Sequence, residues 1–284
     1  MSLLFSKLRG RLEALSEGCD FVMGASLKDL TTGEQIHVNA DEIFPVASTI
    51  KVPILMEFYR RVEEKSLDPT KPYTYKEEMT TPGSGVLKAL TPGSVTMPLI
   101  DWADLMISVS DNTATNLIID LVGLDSVNAI LRGLRLKETT LARKMMDMEA
   151  YLKGKESLCT PRELVALFEA LYRREAVSPY VCDETLAMLR RPKEGIIEGV
   201  IRSAVPSTVE VADKSGWIGG ATLDTGIVYV PDRPYALSLH AKHIPATDIH
   251  HVEALHTLTV AAKLIYAYFE EVAAATPQGR KKPI

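Results

Sequence analysis

The sequence predicts an α+β fold: one sheet assembled from both ends of the chain, covered by terminal helices, with an all-helical domain inserted between its halves. Three observations lead there. Strand-like runs occupy Phe21–Leu27 and Gln35–Asn39 near the start, and Val209–Ala212, Thr222–Val230 and Tyr235–His240 near the end. From Met97 to Val200 apolar residues recur almost throughout at helical spacing. Amphipathic stretches at 3–16 and 249–274 close both termini. A sheet with a hydrophobic face must bury it against another layer. Residues 1–44 and 200–284 are therefore assigned to the sheet domain and 45–199 to the helical one.

Taken in order, Phe5, Leu8, Leu12 and Leu15 mark the first helix. Lys28-Asp29-Leu30-Thr31-Thr32-Gly33 has the composition of a hairpin turn between the first two strands. A helix is expected from Ser48, a good N-cap type, to about Lys65, with Val52, Leu55, Met56 and Tyr59 on one face and Pro53 in its first turn. Residues 66–98, rich in Pro, Gly, Thr and Ser, read as loop with short extended pieces. Trp102, Leu105, Met106 and Val109 form one helical stripe, and Leu117, Ile118, Leu121 and Val122 another. Residues 141–158 read as a structured surface loop. Thr160-Pro161-Arg162-Glu163 is a capping box opening a helix with Leu164, Leu167, Phe168 and Leu171 inward. Pro231-Asp232 turns the chain between the last two strands, and Val252, Leu255, Leu258, Ala262 and Ile265 line the closing helix.

Of the 284 residues, 46% are hydrophobic and 24% charged, an ordinary globular balance with room for a substantial core. A net charge of -5 argues against a nucleic acid or an anionic membrane as partner. Arg280-Lys281-Lys282 is the one basic cluster and reads as a frayed tail. Cys19, Cys159 and Cys182 are too few and too scattered for a disulfide framework. The N-terminus is charged and amphipathic rather than leader-like, and no segment is long enough to cross a membrane. A cytoplasmic location is expected for the chain as given, or a periplasmic or secreted one if a leader has been removed. His240, His243, His250 and His251 lack a recognised ligand spacing, so no metal or cofactor is expected.

The chemistry lies in three short motifs. Ser48-Thr49-Ile50-Lys51 sets a hydroxyl and an amine one turn apart on one face. A serine needs a base to become a nucleophile, and a buried lysine, whose charged form is disfavoured, can be that base. Alone, the motif reads equally as a capping serine before a surface lysine. Ser110-Asp111-Asn112 and Lys214-Ser215-Gly216 decide between the two. The three in this order should coincide on the order of once in a thousand chains of this size. Together they supply what acyl transfer requires. Ser110 passes a proton towards the leaving group, and Lys214 keeps that place electropositive. Asn112 offers its amide to a substrate carbonyl, while Ser215, Gly216 and the strand edge that follows bind a carboxylate and add a backbone N–H.

At these residues the chain resembles the penicillin-recognising serine enzymes, most closely the class A β-lactamases. The likeness covers most of the chain, including the gaps between motifs, the run Ser110 to Asn116 and the approach Ile201 to Pro206. It implies an antiparallel sheet sandwiched by helices beside a helical domain, an active site at the interface of the two, and a small-molecule substrate bearing a carboxylate. It also implies acylation of Ser48, Lys51 as proton acceptor, and an oxyanion hole formed by the N–H groups of Ser48 and Trp217.

One departure stands out. The family places a glutamate in the loop before the capped helix, shortly after an arginine, to activate the water that clears the acyl group. Counted from Arg143 that place falls on Met145, and counted back from Pro161 it falls on Lys144. Asp147 and Glu149 are the nearby carboxylates that remain as water-activating candidates. General-base help is worth about 10²–10⁴-fold, so acylation should survive and deacylation be slow. The expected function is β-lactam hydrolysis through acyl-Ser48. The alternatives are an esterase or D-alanyl peptidase on the same site, or a penicillin-binding sensor that acylates once.

Overall fold

The computed structural model describes residues 2–193, 198–244 and 248–275; the Arg280-Lys281-Lys282 tail lies outside them. In chain order the elements are α1 (Leu3–Glu17), β1 (Val22–Asp29), β2 (Gln35–Val38), β3 (Phe44–Pro45), a 3-10 turn (Ala47–Ile50), α2 (Lys51–Glu63), β4 (Pro72–Thr74) and β5 (Thr96–Pro98). Then follow α3 (Leu99–Ser108), α4 (Asn112–Val122), α5 (Leu124–Gly133), α6 (Met148–Leu152), β6 (Leu158–Cys159), α7 (Pro161–Tyr172) and α8 (Pro179–Leu189). The chain ends with α9 (Gly199–Ser203), β7 (Val211–Ile218), β8 (Ala221–Val228), β9 (Tyr235–Lys242) and α10 (Asp248–Ala274).

Five strands form an antiparallel sheet in the order β2-β1-β9-β8-β7. The two ends of the chain meet at the β1–β9 pair, where Ala25 faces Leu239 and Leu27 faces Leu237. Side chains alternate across a strand, and the alternation feeds two cores. Phe5, Leu12, Met23, Leu237, Leu258 and Phe269 fill the space under the terminal helices. Phe44, Phe58, Trp102, Leu167, Phe168 and Ile227 belong to the larger core shared with the helical layer. Pairs of residues in two short ribbons, β3–β6 and β4–β5, tie loops to the helical domain.

Three local expectations are corrected. Ser48 is not a helix cap. Val46 already has helical φ and ψ of -71° and -20°, whereas an N-cap residue is extended, and α2 begins at Lys51 behind Ile50 with no side-chain cap. The strand expected over Val209–Ala212 runs instead from Val211 to Ile218, so Lys214-Ser215-Gly216 lies inside it. Pairing along the whole of β8 outweighs the poor strand preference of Lys, Ser and Gly. Finally, only half of the capping box closes. The Thr160 hydroxyl accepts from the Glu163 amide at 3.2 Å. The Glu163 carboxylate turns away to accept from the amides of Lys137, Glu138 and Thr139 and from the Thr139 hydroxyl, the two Thr139 contacts at 2.7 Å.

Glu163 thus pins the segment between α5 and the following loop to the start of α7. Charge-assisted bonds to a half-buried acceptor are worth more than neutral ones. Glu163→Ala is expected to cost about 2 kcal/mol of stability, read as a lowered urea midpoint with an unchanged slope.

Candidate active site

Ser48 sits where the helical layer meets the free edge of the sheet, and it borders two cavities, of about 100 Å³ and about 70 Å³. Ala47 before it has φ +46°, and Ser110 has φ +55°. Left-handed backbone at residues with a Cβ is held only where the surroundings over-determine it. Here it turns both hydroxyl-bearing residues to one place, and Ser48 and Ser110 line the smaller cavity together with Ser84, Ser215, Gly216 and Trp217.

Lys51 lies one helical turn on, wholly buried. Its Nζ meets the Ser110 carbonyl at 2.7 Å, the Ser110 hydroxyl at 3.0 Å and the Asn112 Oδ1 at 3.0 Å. Burial drives its pKa well below the ordinary lysine value; the nearby Lys214 charge pushes the same way and Asp111 opposes. Asp111 holds this corner together. Its Oδ1 caps α4 through the Ala114 amide at 3.0 Å, and its Oδ2 accepts from the Val86 and Leu87 amides. Asn112 donates from Nδ2 to the Pro82 carbonyl at 2.9 Å, which leaves one N–H of that amide for a ligand.

The opposite wall is β7. In a two-residue hairpin the pair flanking the turn, Ile218 and Ala221, is hydrogen-bonded, and bonded pairs alternate. Trp217 therefore leaves its N–H on the free edge of the sheet, and the Ala47–Ile50 turn packs against this strand. Gly216 makes that approach possible: a Cβ there would lie 2.9 Å from the Ser48 amide nitrogen and 3.1 Å from Ala47 Cβ. The indole of Trp217 is 58% exposed and meets His251 of α10 edge-on.

Lys214 is buried behind this surface, and its Nζ donates to the Ser215 carbonyl at 2.7 Å. Burial, then the charge of Lys193, pushes its pKa down to about 7, while Asp213 and Asp224 hold it up. Four residues of this network, Lys193, Arg202, Asp213 and Asp224, lie outside the three motifs. Lys193 and Arg202 both bond Asp213 Oδ1, at 2.9 Å and 2.6 Å. Asp224, cross-strand neighbour of Ser215, accepts from the Ile201 amide at 2.8 Å, and burial pushes its carboxyl up.

The carboxylates proposed to activate water are not at the site. The Glu149 side chain is 81% exposed and paired with Lys153. Asp147 caps α6, accepting from the Ala150 amide at 2.9 Å. Both belong to a short helix that turns the loop tip outward. Lys144 and Met145, the two residues reached by counting, do border the larger cavity beside Ser48, as does Glu156, which carries no motif either. His240 is a sheet-interior residue, edge-on to Phe44 and bonded to Ser238 at 2.7 Å, with burial pushing its pKa down to about 3. Among the described residues no group of three or more His, Cys, Asp or Glu side chains could hold a metal ion.

A model of the β-lactamase enzyme family matches residues 7–269. Among curated proteins, β-lactamase AER-1 of Aeromonas hydrophila is 27% identical over 215 residues, 74% of this chain and 69% of that one. Among solved structures, a β-lactamase from Sphaerobacter thermophilus is 29% identical with a TM-score of 0.78, covering 91% of this chain and 96% of that one. PBP-A is 27% identical with a TM-score of 0.81 over 93% and 96% of the two chains, and a variant of it has been solved as an acyl-enzyme complex with penicillin G.

Replacing Gly216 by alanine must push β7 away from the Ser48 amide. Losing an aligned oxyanion donor costs about 10²–10³-fold in rate. Gly216→Ala is expected to slow the reaction of Ser48 with p-nitrophenyl acetate about 10²-fold and to lower the thermal midpoint by a few degrees. An unchanged rate would mean that this strand edge takes no part.

Proposed function

The chain belongs to the β-lactamase enzyme family as a divergent class A member, and on that footing we propose that it is a serine hydrolase which opens β-lactams by acylation of Ser48. The observation that carries the reading is the buried Lys51 amine, linked to Ser110 and Asn112 one turn from Ser48. Burial favours its neutral form, which has a lone pair to accept the proton of the Ser48 hydroxyl as Oγ attacks the lactam carbonyl. The N–H groups of Ser48 and Trp217 receive the oxyanion. The Ser110 hydroxyl, 3.0 Å from Lys51, relays the proton to the departing nitrogen and is restored from Lys51. Ser215 binds the substrate carboxylate, with Lys214 behind it supplying positive charge.

A second reading, in which the acyl-enzyme accumulates, is favoured by Met145 or Lys144, neither of them a carboxylate, standing where the family carries its glutamate. PBP-A, whose variant is held as a penicillin G acyl-enzyme, is a relative of the same standing as the β-lactamases. The two readings share acylation and differ in the lifetime of the ester.

Mass spectrometry of the intact protein with benzylpenicillin tests the common step. The wild type is expected to gain one adduct that clears slowly, and Ser48→Ala to gain none; equal labelling of both would overturn the reading. The pH dependence follows from Lys214. A lysine with a pKa of about 7 is cationic below that pH and neutral above it. The acylation efficiency of a carboxylate-bearing β-lactam should therefore fall as pH rises through about 7, and p-nitrophenyl acetate, with no carboxylate, should lack that limb. Asp224→Asn removes an influence that holds the Lys214 value up, so the limb moves to lower pH.

A further inference from the structure

Clearing an acyl-serine ester takes a water molecule and a group to accept its proton, and neither Asp147 nor Glu149 borders the cavities at Ser48. The β3–β6 ribbon brings another carboxylate there. It sets Phe44 against Cys159 and Pro45 against Leu158, and the Val46 amide donates to the Ser157 carbonyl at 3.0 Å. Past that bond the entering chain leaves the ribbon, with Val46 helical and Ala47 at φ +46°, and Glu156, which precedes Ser157 on the returning leg, lines the same cavity as Ala47 and Ser48. The segment is held from its other side too. The Thr140 amide donates to the Leu158 carbonyl at 3.0 Å, and the Ala142 amide to the Ser157 hydroxyl at 2.9 Å.

Glu156 is half-buried and shares with Ser48 the cavity of about 100 Å³, space for a few ordered waters. The other polar side chains on that wall are poor bases. Lys144 is ion-paired with Asp120, the Arg143 guanidinium does not give up its proton, and the Ser157 hydroxyl is occupied. We propose that Glu156 is the general base of deacylation. Its carboxylate takes a proton from a water whose oxygen bonds to the acyl carbon of the Ser48 ester. The tetrahedral intermediate then collapses, the carbon–Oγ bond breaks, and the carboxyl returns the proton to Ser48 Oγ, leaving free acid and the original hydroxyl. The inference rests on the acyl-Ser48 reading.

The test is a time course of intact mass for the wild type, Glu156→Gln, Glu156→Asp and Glu149→Gln, each with benzylpenicillin and with p-nitrophenyl acetate. Glu156→Gln is expected to acylate at the wild-type rate, which also reports a folded site, and to hold its adduct about 10²-fold longer. Glu156→Asp falls between, and Glu149→Gln clears as the wild type does. A Glu156→Gln adduct that clears at the wild-type rate overturns the assignment, as does a wild-type adduct that never clears. No adduct on the wild type with either donor instead overturns the acyl-Ser48 reading and the inference with it.

Discussion

Lys51 is enclosed completely, and the groups that meet its amine are a carbonyl, a hydroxyl and a side-chain amide oxygen, none of them a carboxylate. A charged ammonium in such a place loses its hydration and receives only neutral acceptors in return. The Lys214 charge makes the cation still less favourable. The arrangement around it follows from meeting this amine's hydrogen bonds without neutralising it by an ion pair. Ser110 bends into a left-handed conformation so that its carbonyl and hydroxyl both point at Nζ. Asp111, which could have formed the salt bridge, spends its oxygens on three backbone amides instead. A salt bridge would have held the amine as a cation; this geometry leaves it able to take a proton.

The second buried amine is treated differently. Lys214 lies over a cluster in which two cations, Lys193 and Arg202, share one carboxylate oxygen of Asp213. Breaking such a pair strands a buried charge at a cost of several kcal/mol, so the cluster fixes Lys193 and, through Arg202, α9 to the back of β7. Gly199, at φ +77°, lets α9 close on the sheet: a Cβ there would stand 2.4 Å from Asp224 Oδ2 and 3.1 Å from Ser215 Cβ. The strand carrying Ser215, Gly216 and Trp217 is therefore braced by charge on one side and by the absence of a side chain on the other. An edge strand held this firmly can present its outward N–H groups at a fixed distance from Ser48.

The sequence made the layers legible because strand and helix periods differ and each end of the chain carries its own apolar stripe. The three motifs also read correctly as neighbours, since Ser48, Ser110 and Ser215 line one cavity. What failed was local and depended on partners far away in the chain. Ser48 looked like a cap because caps are recognised by residue type, while the Val46 N–H is tied by a hydrogen bond to the Ser157 carbonyl and its backbone is already helical. Glu163 completed a capping pattern on paper but found better donors in a loop more than twenty residues earlier. Asp147 and Glu149 were near in count to the missing glutamate, yet a five-residue helix turns them out. Glu156 has no motif; the β3–β6 ribbon and the bond from the Val46 amide to the Ser157 carbonyl bring its segment to the cavity at Ser48.

That ribbon also decides which part of the loop can act. Two asparagines grip the outgoing leg through paired bonds to backbone: Asn128 bonds the amide and carbonyl of Leu141 at 2.9 Å each. Asn116 bonds those of Met145 at 2.8 Å and 3.1 Å. Each replaces a strand partner with a side-chain amide, so Met145 is held in place as firmly as a residue in a sheet. The exposed tip of the loop, with Met148 and Leu152, lies beyond that grip. The outgoing leg presents Lys144 and Met145 to the cavity at Ser48, and the returning leg, tied by the ribbon to the chain entering Ser48, presents Glu156. The chemistry open to this site is thus set less by which residues the loop contains than by which of its two legs is paired to the nucleophile.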